Sequence, residues 1–442
     1  MSPALLLTFY GDDFTGSTDA MEALSLNGVP TVLFLQSPQA GDVAQFAHCR
    51  ALGIAGISRS QTPEWMSHEL PGVFSRLQQL GAPLCHYKIC STFDSAPQVG
   101  SIGRAIDIGH AVFGGDYVPL LVGAPVLRRY TLFGNLFATL DGATHRIDRH
   151  PVMSMHPVTP MHEADLRRHL ADQTDKTVAL LDILALQSAD VDARLDRVLA
   201  ANPDVLLFDV LDDASLAQAG RLLWERRQRA TFVVGSSGVE YALAAHWRHA
   251  DQVSPPAASP SADAVERVVV VSGSCSPVTE AQIHWACQHG FAGVQLDAAR
   301  FVSDASSAAV NEACAAGARA LHAGQSVVLY TALGRAAGFV EHGGRDSTEF
   351  NSQLGTRVGE LLRDLCERER VTRVVVAGGD TSGHAARQLD MYALTLDAPL
   401  APGGPLCRAH SRNTRFDGLQ IVLKGGQVGS EKFFAQVREG AV

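Results

Sequence analysis

The stretch "LTFYGDDFTGSTDAMEAL", residues 7–24, joins an apolar run to a helical segment through a turn of glycine, aspartate and hydroxyl residues. The apolar run predicts a buried strand, and the segment after it predicts a helix that Ser17 or Thr18 caps. Two adjacent carboxylates, Asp12 and Asp13, cannot both be buried cheaply without partners. We therefore expect at least one of them to face a ligand, a cation or a network of donors. The alternative is that they cap local amides.

Short apolar runs of the same kind recur along the chain, at residues 4–10, 31–36, 51–57, 118–125, 177–184, 205–211, 231–238, 267–274, 326–334 and 373–380. Their apolar character is continuous rather than alternating, which indicates strands buried on both faces. The segments between them, such as "HAARQLDMY" at residues 384–392, look helical. The sequence therefore predicts an α/β fold with largely parallel sheets flanked by helices. Ligands of such sheets bind beyond the carboxyl ends of the strands.

The chain of 442 residues is too long for one ordinary core, so two domains are expected. The segment "VSPPAASPSADA", residues 253–264, is dominated by proline, serine and alanine and predicts a linker. We therefore predict an N-terminal domain over residues 1–252 and a C-terminal domain over residues 265–442.

The composition is that of a globular protein, with 46% hydrophobic and 19% charged residues. A net charge of −10 argues against a nucleic-acid partner but leaves an anionic substrate open, because local charge decides a pocket. No apolar stretch approaches the roughly 20 residues of a membrane span, so no membrane partner is expected. Eight cysteines without a CxxC pair predict buried, reduced thiols in a cytoplasmic protein.

A second polar cluster is "HYKICSTFDSAPQVGSIGRAID", residues 86–107. Lys88 lies in a short apolar strand, and a group of hydroxyl residues with Asp94 follows it. A lysine among such groups can bind a carboxylate or a polyol. The alternative is a structural pair between this lysine and a nearby aspartate, and the residues alone leave both open.

The C-terminal half contains three glycine-rich turns, in "VVVVSGSCSPVTEAQI" (268–283), "VVVAGGDTSGHAARQL" (374–389) and "VLKGGQVGSEKFF" (422–434). The first two turns lead from a predicted strand into a predicted helix, where exposed amides and hydroxyls suit phosphate. In the first of them, Pro277 suits the opening helical turn, and Thr279 is expected to help cap it. Together the turns predict a nucleotide site, although no Walker GxxxxGK[ST] motif is present.

These motifs together resemble the four-carbon acid sugar kinase family. "GDDFTGSTD" is similar to its D-D-F-T-G-[AS]-T-D signature, "KICSTFDS" to its K-x-C-S-T-F-D-S segment, and "HPVTPM" (156–161) to its H-P-V-x-P-M segment. "SGSCSPVTEAQ" and "GGDTSG" resemble its two nucleotide-domain motifs. The resemblance implies an acid-sugar-binding N-terminal domain, an ATP-binding C-terminal domain and an active site in the cleft between them. It also implies transfer of the ATP γ-phosphoryl group to a substrate hydroxyl, with Mg²⁺.

The substrates implied by the resemblance are D-threonate, D-erythronate, 3-oxo-tetronates and 3-oxo-isoapionate. This chain has "FYGDDFTGS" where many members have "IADDFTGA", which favours an oxo acid such as 3-oxo-isoapionate. Two other classes stay open: a regulatory protein that binds a sugar acid and nucleotide without turnover, and a lyase or aldolase that uses Lys88 as a Schiff-base amine. An aldolase has no need of three phosphate turns.

Six side chains are then predicted to bind the sugar acid: Asp12, Asp13, Arg59, Lys88, Asp94 and Arg129. Asp13 and Lys88 are expected to contact it, with Asp12 assisting and Asp94 orienting Lys88. Arg59 is expected to hold the carboxylate through its guanidinium fork, and Arg129 is a second candidate of this type.

Eight residues are predicted to bind the nucleotide: Ser274, Ser276, Gly334, Gly378, Gly379, Asp380, Thr381 and Gly425. Asp380 is also expected to bind Mg²⁺ through water. Asp13 is the first candidate for the general base and Asp380 the second. The oligomeric state is left open, with a homodimer as one alternative.

Overall fold

A computed structural model of the chain describes residues 4–156, 158–228, 230–254, 260–334 and 347–440. The chain divides into two compact units, which are Met1–Val32 with Ser37–Ala257 and Leu33–Gln36 with Ala258–Val442. The division falls inside the predicted linker, of which residues 255–259 lie outside the described part.

The first unit is built on a sheet of parallel strands in the order β3-β1-β4-β11-β5-β10-β9. The strands of this unit are β1 (Leu7–Gly11), β2 (Thr31–Phe34, whose last two residues group with the second unit), β3 (Ala51–Ala55), β4 (Leu84–Lys88), β5 (Val118–Leu121), β6 (Arg129–Leu132), β7 (Asn135–Leu140), β8 (Ala143–Arg146), β9 (Val178–Leu181), β10 (Val205–Phe208) and β11 (Thr231–Gly235). Strands β1, β3 and β4 are buried throughout, as their continuous apolar character predicts.

Helices connect these strands and lie at α1 (Phe14–Leu26), α2 (Ala40–Gln45), α3 (Pro63–Gln79), α4 (Ile102–Phe113), α5 (Leu166–Ala171), α6 (Ile183–Leu186), α7 (Val191–Leu199), α8 (Asp213–Glu225) and α9 (Gly238–His249). Short 3₁₀ turns occur at Ser58–Ser60, Pro125–Leu127, Ile147–Arg149 and Met153–Met155. From β1 the chain moves to β3 on one side and then to β4 on the other. The order of strands therefore reverses between β1 and β4, and this is where ligands of open parallel sheets bind.

A small antiparallel sheet of β6, β7 and β8 follows β5 and was not predicted. An isolated bridge between Thr131 and Val210 connects it to the segment after β10. Arg129 is its first residue, so the small sheet carries one of the predicted binding side chains close to the end of β5.

The start of α1 differs from the prediction. The cap is Asp13, whose side chain accepts a hydrogen bond from the backbone N–H of Gly16, whereas Ser17 and Thr18 lie inside the helix. Ser17 instead donates its hydroxyl to the carbonyl of Asp13. Asp13 satisfies the free amides of the first turn before the hydroxyl residues are reached, so they are not needed as caps.

The second unit has the strand order β13-β14-β12-β15-β18-β17-β16, in which the first five strands are parallel and β17 is antiparallel to both of its neighbours, β18 and β16. Its strands are β12 (Val269–Ser272), β13 (Phe291–Gln295), β14 (Ser326–Tyr330), β15 (Arg373–Ala377), β16 (Met391–Ala398), β17 (Leu406–Ser411) and β18 (Gln420–Lys424). Its helices in the described part are α10 (Pro277–Gln288), α11 (Ala298–Phe301), α12 (Ser306–His322), α13 (Ser347–Glu369), α14 (Gly379–Gln388) and α15 (Phe433–Glu439). The predicted α/β fold with largely parallel sheets is confirmed.

Two local predictions in this unit were wrong. The predicted helix over residues 384–392 ends at Gln388, and Met391 begins a strand. Asp390 has a φ of 47°, in the left-handed region that aspartate tolerates, and there the chain turns from helix to strand. The cap of α10 is Ser276 rather than Thr279, because the Ser276 hydroxyl accepts from the N–H of Val278, while Pro277 is the first helical residue as expected.

All eight cysteines lie in the described part and are free thiols. Five of them are buried as predicted and Cys90 is half-buried, but the prediction was wrong for Cys275 and Cys287, which are exposed. Over the residues that the structure describes, no helix combines the length and the apolar character needed to cross a membrane.

Candidate functional site

In the first unit, charged side chains gather at the carboxyl ends of three neighbouring strands. Asp12 and Asp13 follow β1, Arg59 lies in the turn after β3, and Lys88 is the last residue of β4. Backbone bonds hold these ends together, since the N–H of Asp12 donates to the carbonyl of Lys88 and the N–H of Arg59 to the carbonyl of Asp12. The predicted side chains therefore lie at one place, where the strand order reverses.

Arg59 holds both aspartates. Its Nε and Nη2 donate to the two carboxylate oxygens of Asp12, at 3.1 and 2.6 Å, and its Nη1 donates to Oδ2 of Asp13 at 2.6 Å. The fork edge that was expected to bind a substrate carboxylate is thus occupied by Asp12. Arg59 fixes the geometry of the two carboxylates in this structure.

The two aspartates differ in access. The side chain of Asp12 is 5% exposed, whereas that of Asp13 is 24% exposed. Asp13 accepts from Gly16 through Oδ1 and from Arg59 through Oδ2, and each oxygen keeps a further lone pair. Asp13 therefore combines the capping role and an accessible carboxylate, and Asp12 is the buried partner of Arg59.

Gly16 is required by close packing at this turn. A Cβ at position 16 would lie 2.6 Å from Oδ1 of Asp13 and 3.2 Å from Nζ of Lys88. The absence of a side chain there lets Asp13 reach the helix amide and brings Lys88 beside the carboxylates.

Lys88 is buried and forms an ion pair with Asp19, with Nζ 3.2 Å from Oδ2, and it also donates to the carbonyl of Ile89. Burial alone would lower the pKa of Lys88, but Asp19 and the buried Glu240 outweigh it and hold the pKa above its usual value. The expectation that Asp94 orients Lys88 differs from the structure, in which Asp19 does so. Asp19 was not among the predicted site residues, although it ends the signature "GDDFTGSTD". Because α1 begins at Phe14, Asp19 lies after the first turn of this helix, where it faces Lys88.

Asp94 accepts a hydrogen bond from the Thr92 hydroxyl at 2.7 Å. Burial would raise the pKa of Asp94, but attraction to Arg59 and hydrogen bonds from Cys90 and Thr92 together hold it below its usual value. Asp94 is therefore a carboxylate that adds negative charge beside Arg59.

A buried pair behind Lys88 was also missed. His86 and Glu240 are fully buried, with Nδ1 and Oε1 2.6 Å apart, and His86 Nε2 lies 3.0 Å from the carbonyl of Gly235. A carbonyl only accepts, so Nε2 is the donor in its hydrogen bond to Gly235. This pair joins β4 to α9 and places Glu240 near Lys88.

Arg129 differs from Arg59 in its partners, because among the described residues it forms no ion pair with a carboxylate. Its Nη1 donates to the carbonyls of Leu127 and Arg128, at 2.9 and 3.2 Å. Within the described part of the chain Nε is buried without a hydrogen-bond partner, and neither Nε nor Nη2 meets a carboxylate. Burial lowers the pKa of Arg129, but a guanidinium stays charged. Cys90 lies near both Arg59 and Arg129, which places the two arginines in one neighbourhood.

In the second unit, the three glycine-rich turns follow β12, β15 and β18, which are neighbours in the sheet. Ser272, Ala377 and Lys424, the last residues of these strands, lie in register. The turns therefore meet at one edge, as parallel strands require.

Close contacts bring the predicted nucleotide residues together. A Cβ at Gly426 would lie 2.8 Å from the Ser274 hydroxyl and from Cβ of Ser276, and one at Gly273 would lie within contact of the Thr381 hydroxyl. The third turn thus covers the first, and the second turn lies beside it. The start of α10 and the start of α14, both rich in free amides, open at this edge.

The remaining predicted residues divide into three cases. Gly334, with a φ of 68°, lies against Glu280 in the first turn of α10, and Gly425 precedes the covering Gly426. A Cβ at Gly379 would meet no atom within 4 Å, so this position is open. Asp380 lies in the first turn of α14, but its side chain is outside the described part, and its predicted catalytic and metal-binding roles stay predictions.

The chain matches two family models and several known proteins. A sugar-binding N-terminal domain matches residues 7–243, and a nucleotide-binding C-terminal domain matches residues 269–434. A 3-oxo-isoapionate kinase from Paraburkholderia graminis is 51% identical over 99% of this chain and 94% of the relative. A 3-oxo-tetronate kinase from Pectobacterium atrosepticum is 28% identical over 97% of each chain. A crystal structure of a protein from Salmonella typhimurium LT2 is 25% identical, with a TM-score of 0.79 over 99% of both chains.

The burial of Asp12 leads to a pH-dependent stability. Burial and the neighbouring Asp13 raise the pKa of Asp12 from 3.8 to about 6 against the attraction of Arg59. The folded state then binds this proton more tightly than the unfolded state, so the contribution of Asp12 to stability falls as the pH rises through this window. We expect the free energy of unfolding of the wild type minus that of Asp12→Asn to fall by about 2 kcal/mol from about pH 4 to about pH 7. Urea unfolding of both proteins at several pH values measures it. A difference that rises with pH would mean that Arg59 outweighs burial.

Proposed function

The chain belongs to the four-carbon acid sugar kinase family, and we propose that it transfers the γ-phosphoryl group of ATP to a hydroxyl of a 3-oxo sugar acid, with 3-oxo-isoapionate as the first candidate. One observation carries the choice of acid: the identity is 51% to the relative named 3-oxo-isoapionate kinase and 28% to the 3-oxo-tetronate kinase of Pectobacterium atrosepticum. The sugar-binding and nucleotide-binding domain matches support the same reaction class.

The charged side chains of the first unit determine the orientation in which a sugar acid would bind there. Three carboxylates, Asp12, Asp13 and Asp19, surround two cations, Arg59 and Lys88, and both cations are already paired. A substrate carboxylate placed there would meet a net negative group and be repelled. In the described part of the chain, Arg129 has a buried Nε without a hydrogen-bond partner, and a guanidinium with an unused donor suits a carboxylate. We therefore assign the acid's carboxylate to Arg129 and its hydroxyl groups to the Asp13 side of the site.

Asp13 and Lys88 suit the hydroxyl groups for complementary reasons. Asp13 is the accessible carboxylate and can accept a hydroxyl proton, while the Lys88 ammonium can donate to a substrate oxygen. In the transfer step the hydroxyl oxygen attacks the γ-phosphorus, and the bond from that phosphorus to the oxygen bridging to the β-phosphate breaks. ADP leaves, and the hydroxyl proton passes to Asp13. Arg59 acts by keeping Asp13 in place.

The turns of the second unit would hold ATP through backbone amides and through the hydroxyls of Ser274, Ser276 and Thr381. Mg²⁺ in kinases is bound mainly by phosphate oxygens with one or two carboxylates, and Asp380 is the proposed protein contribution. When bound, the ion would neutralise the charge that develops on the phosphate oxygens. An active site in a cleft between the domains, a cytoplasmic location and a homodimer stay predictions.

Three alternatives differ from this proposal in properties that can be checked: an aldolase, a kinase for D-threonate or D-erythronate, and a regulatory protein without turnover. A Schiff-base lysine needs an amine that loses its proton easily, and the pairing of Lys88 with Asp19 favours the charged form instead. D-threonate and D-erythronate lack the 3-oxo group and serve as competing substrates in an assay. A regulatory protein without turnover would bind ATP but release no ADP.

The reaction is tested by incubating the protein with ATP, Mg²⁺ and a panel of acids, and by following ADP release. We expect the highest kcat/KM with 3-oxo-isoapionate, a lower value with 3-oxo-tetronates and the lowest with D-threonate and D-erythronate. Preference for a four-carbon acid would overturn the choice of substrate, and absence of ADP with every acid would overturn the kinase proposal.

The role of Asp13 is tested by Asp13→Asn. Asparagine caps a helix as well as aspartate does, so the fold and the melting temperature are expected to change little. Turnover is expected to fall by at least about 100-fold because the proton acceptor is lost, with nucleotide affinity nearly unchanged. A turnover within a few-fold of the wild type would remove this assignment.

The role of Arg129 is tested by Arg129→Met, with Arg149→Met as the control. The Arg149 side chain is 79% exposed and lies in the turn that follows the same small sheet. We expect Arg129→Met to raise the KM for the acid by about 10- to 100-fold, since one charged hydrogen-bonding group is lost, and to leave the KM for ATP unchanged. Arg149→Met should change neither value. Equal effects of the two substitutions would place the carboxylate elsewhere.

A further inference from the structure

Lys424 is a buried lysine that the predicted nucleotide site did not include. It is the last residue of β18 and begins the third glycine-rich turn. Its side chain is fully buried, and in the described part of the chain its ammonium has a single hydrogen-bond partner, the Thr279 hydroxyl at 3.1 Å. A lysine has three donors, so two are left without a protein partner.

A cation in this position needs a counter-charge. Over the described residues Lys424 forms no ion pair with a carboxylate, in contrast to Lys88 with Asp19. Burying an isolated charge is costly, and burial lowers the pKa of Lys424 to about 7. A nearby anion would favour the charged form, so the site is poised to accept negative charge.

The contacts of Lys424 place its ammonium group beneath the three glycine-rich turns. Thr279, its partner, lies in the first turn of α10 and donates its own hydroxyl to the carbonyl of Gly426 in the third turn. The carbonyl of Lys424 accepts from the N–H of Gly378, which begins the second turn. Gly426 in turn covers Ser274 and Ser276 of the first turn. One lysine is therefore joined by hydrogen bonds to two of the three turns and to the helix that opens at them.

We propose that Lys424 supplies the positive charge of the phosphate site, acting from beneath the three glycine-rich turns on the phosphates of a bound nucleotide. The inference rests on the proposed function, since it presupposes that this edge of the second unit binds a nucleotide. Lys424 is a positioning residue here, because it acts through Thr279 and the first turn of α10. The competing explanation is that the lysine only supports the third turn.

Binding of ADP and of adenosine separates these explanations, because adenosine has no phosphate. We expect Lys424→Met, which keeps the length of the side chain and removes its charge, to weaken ADP binding by about tenfold or more and to leave adenosine binding unchanged. Isothermal titration calorimetry on the full chain gives both affinities. Lys432→Met is the control, since Lys432 is an exposed lysine next to the same turn, and it should change neither affinity.

The melting temperature without nucleotide adds a second readout. A lysine that only supports the turn would lower the melting temperature when replaced and would weaken ADP and adenosine equally. Removal of a buried, unpaired charge is instead expected to leave the melting temperature unchanged or to raise it. Equal loss of both ligands, or unchanged ADP affinity in Lys424→Met, would overturn this inference alone. Failure of the wild type to bind ADP would overturn the proposed function with it.

Discussion

One guanidinium shared by two adjacent carboxylates organises the first unit. Arg59 closes a bidentate pair with Asp12 and reaches Asp13 with its remaining nitrogen. Without it, two carboxylates at the end of a buried strand would repel each other and pay the cost of burial unaided. With it, one carboxylate is fixed inside and the other is presented at the start of a helix. The parallel order of β3, β1 and β4 makes this possible, because it brings the three strand ends to one edge.

The two units treat charge in opposite ways. The first unit gathers several ionised side chains and pairs Arg59 and Lys88 with carboxylates, whereas Arg129 keeps a buried Nε without a hydrogen-bond partner in the described part. The second unit builds its site from glycine, backbone amides and hydroxyls, with Lys424 as the buried cation at its base. The first arrangement suits a small molecule whose oxygens must be told apart. The second suits phosphate groups, whose negative charge needs many donors but little selectivity.

Much of this could be predicted from the sequence, because long apolar runs and glycine-rich turns are local signals. The strand that ends at Lys88 and the strands that precede Asp12 and Ser274 followed from them. The pairing of charges did not, since a fork on Arg59 and a fork on Arg129 look alike in sequence and only tertiary placement fills one of them. The choice of Asp13 over Ser17 as the cap depends on which carboxylate Arg59 turns inward. The antiparallel β16 was hidden because the chain turns from helix to strand at Asp390 within two residues.

The small antiparallel sheet of β6, β7 and β8 begins with Arg129. Isolated bridges, such as the one between Thr131 and Val210, connect it to the segments that join the strands of the main sheet. A small peripheral sheet of this kind tolerates changes in loop length and twist more readily than a central strand does. The position of Arg129 can therefore shift through changes in this small sheet, while Asp12 and Asp13, which follow the central strand β1, keep their place. Relatives that share the central sheet but act on different acids are expected to differ first in the sequence of this small sheet.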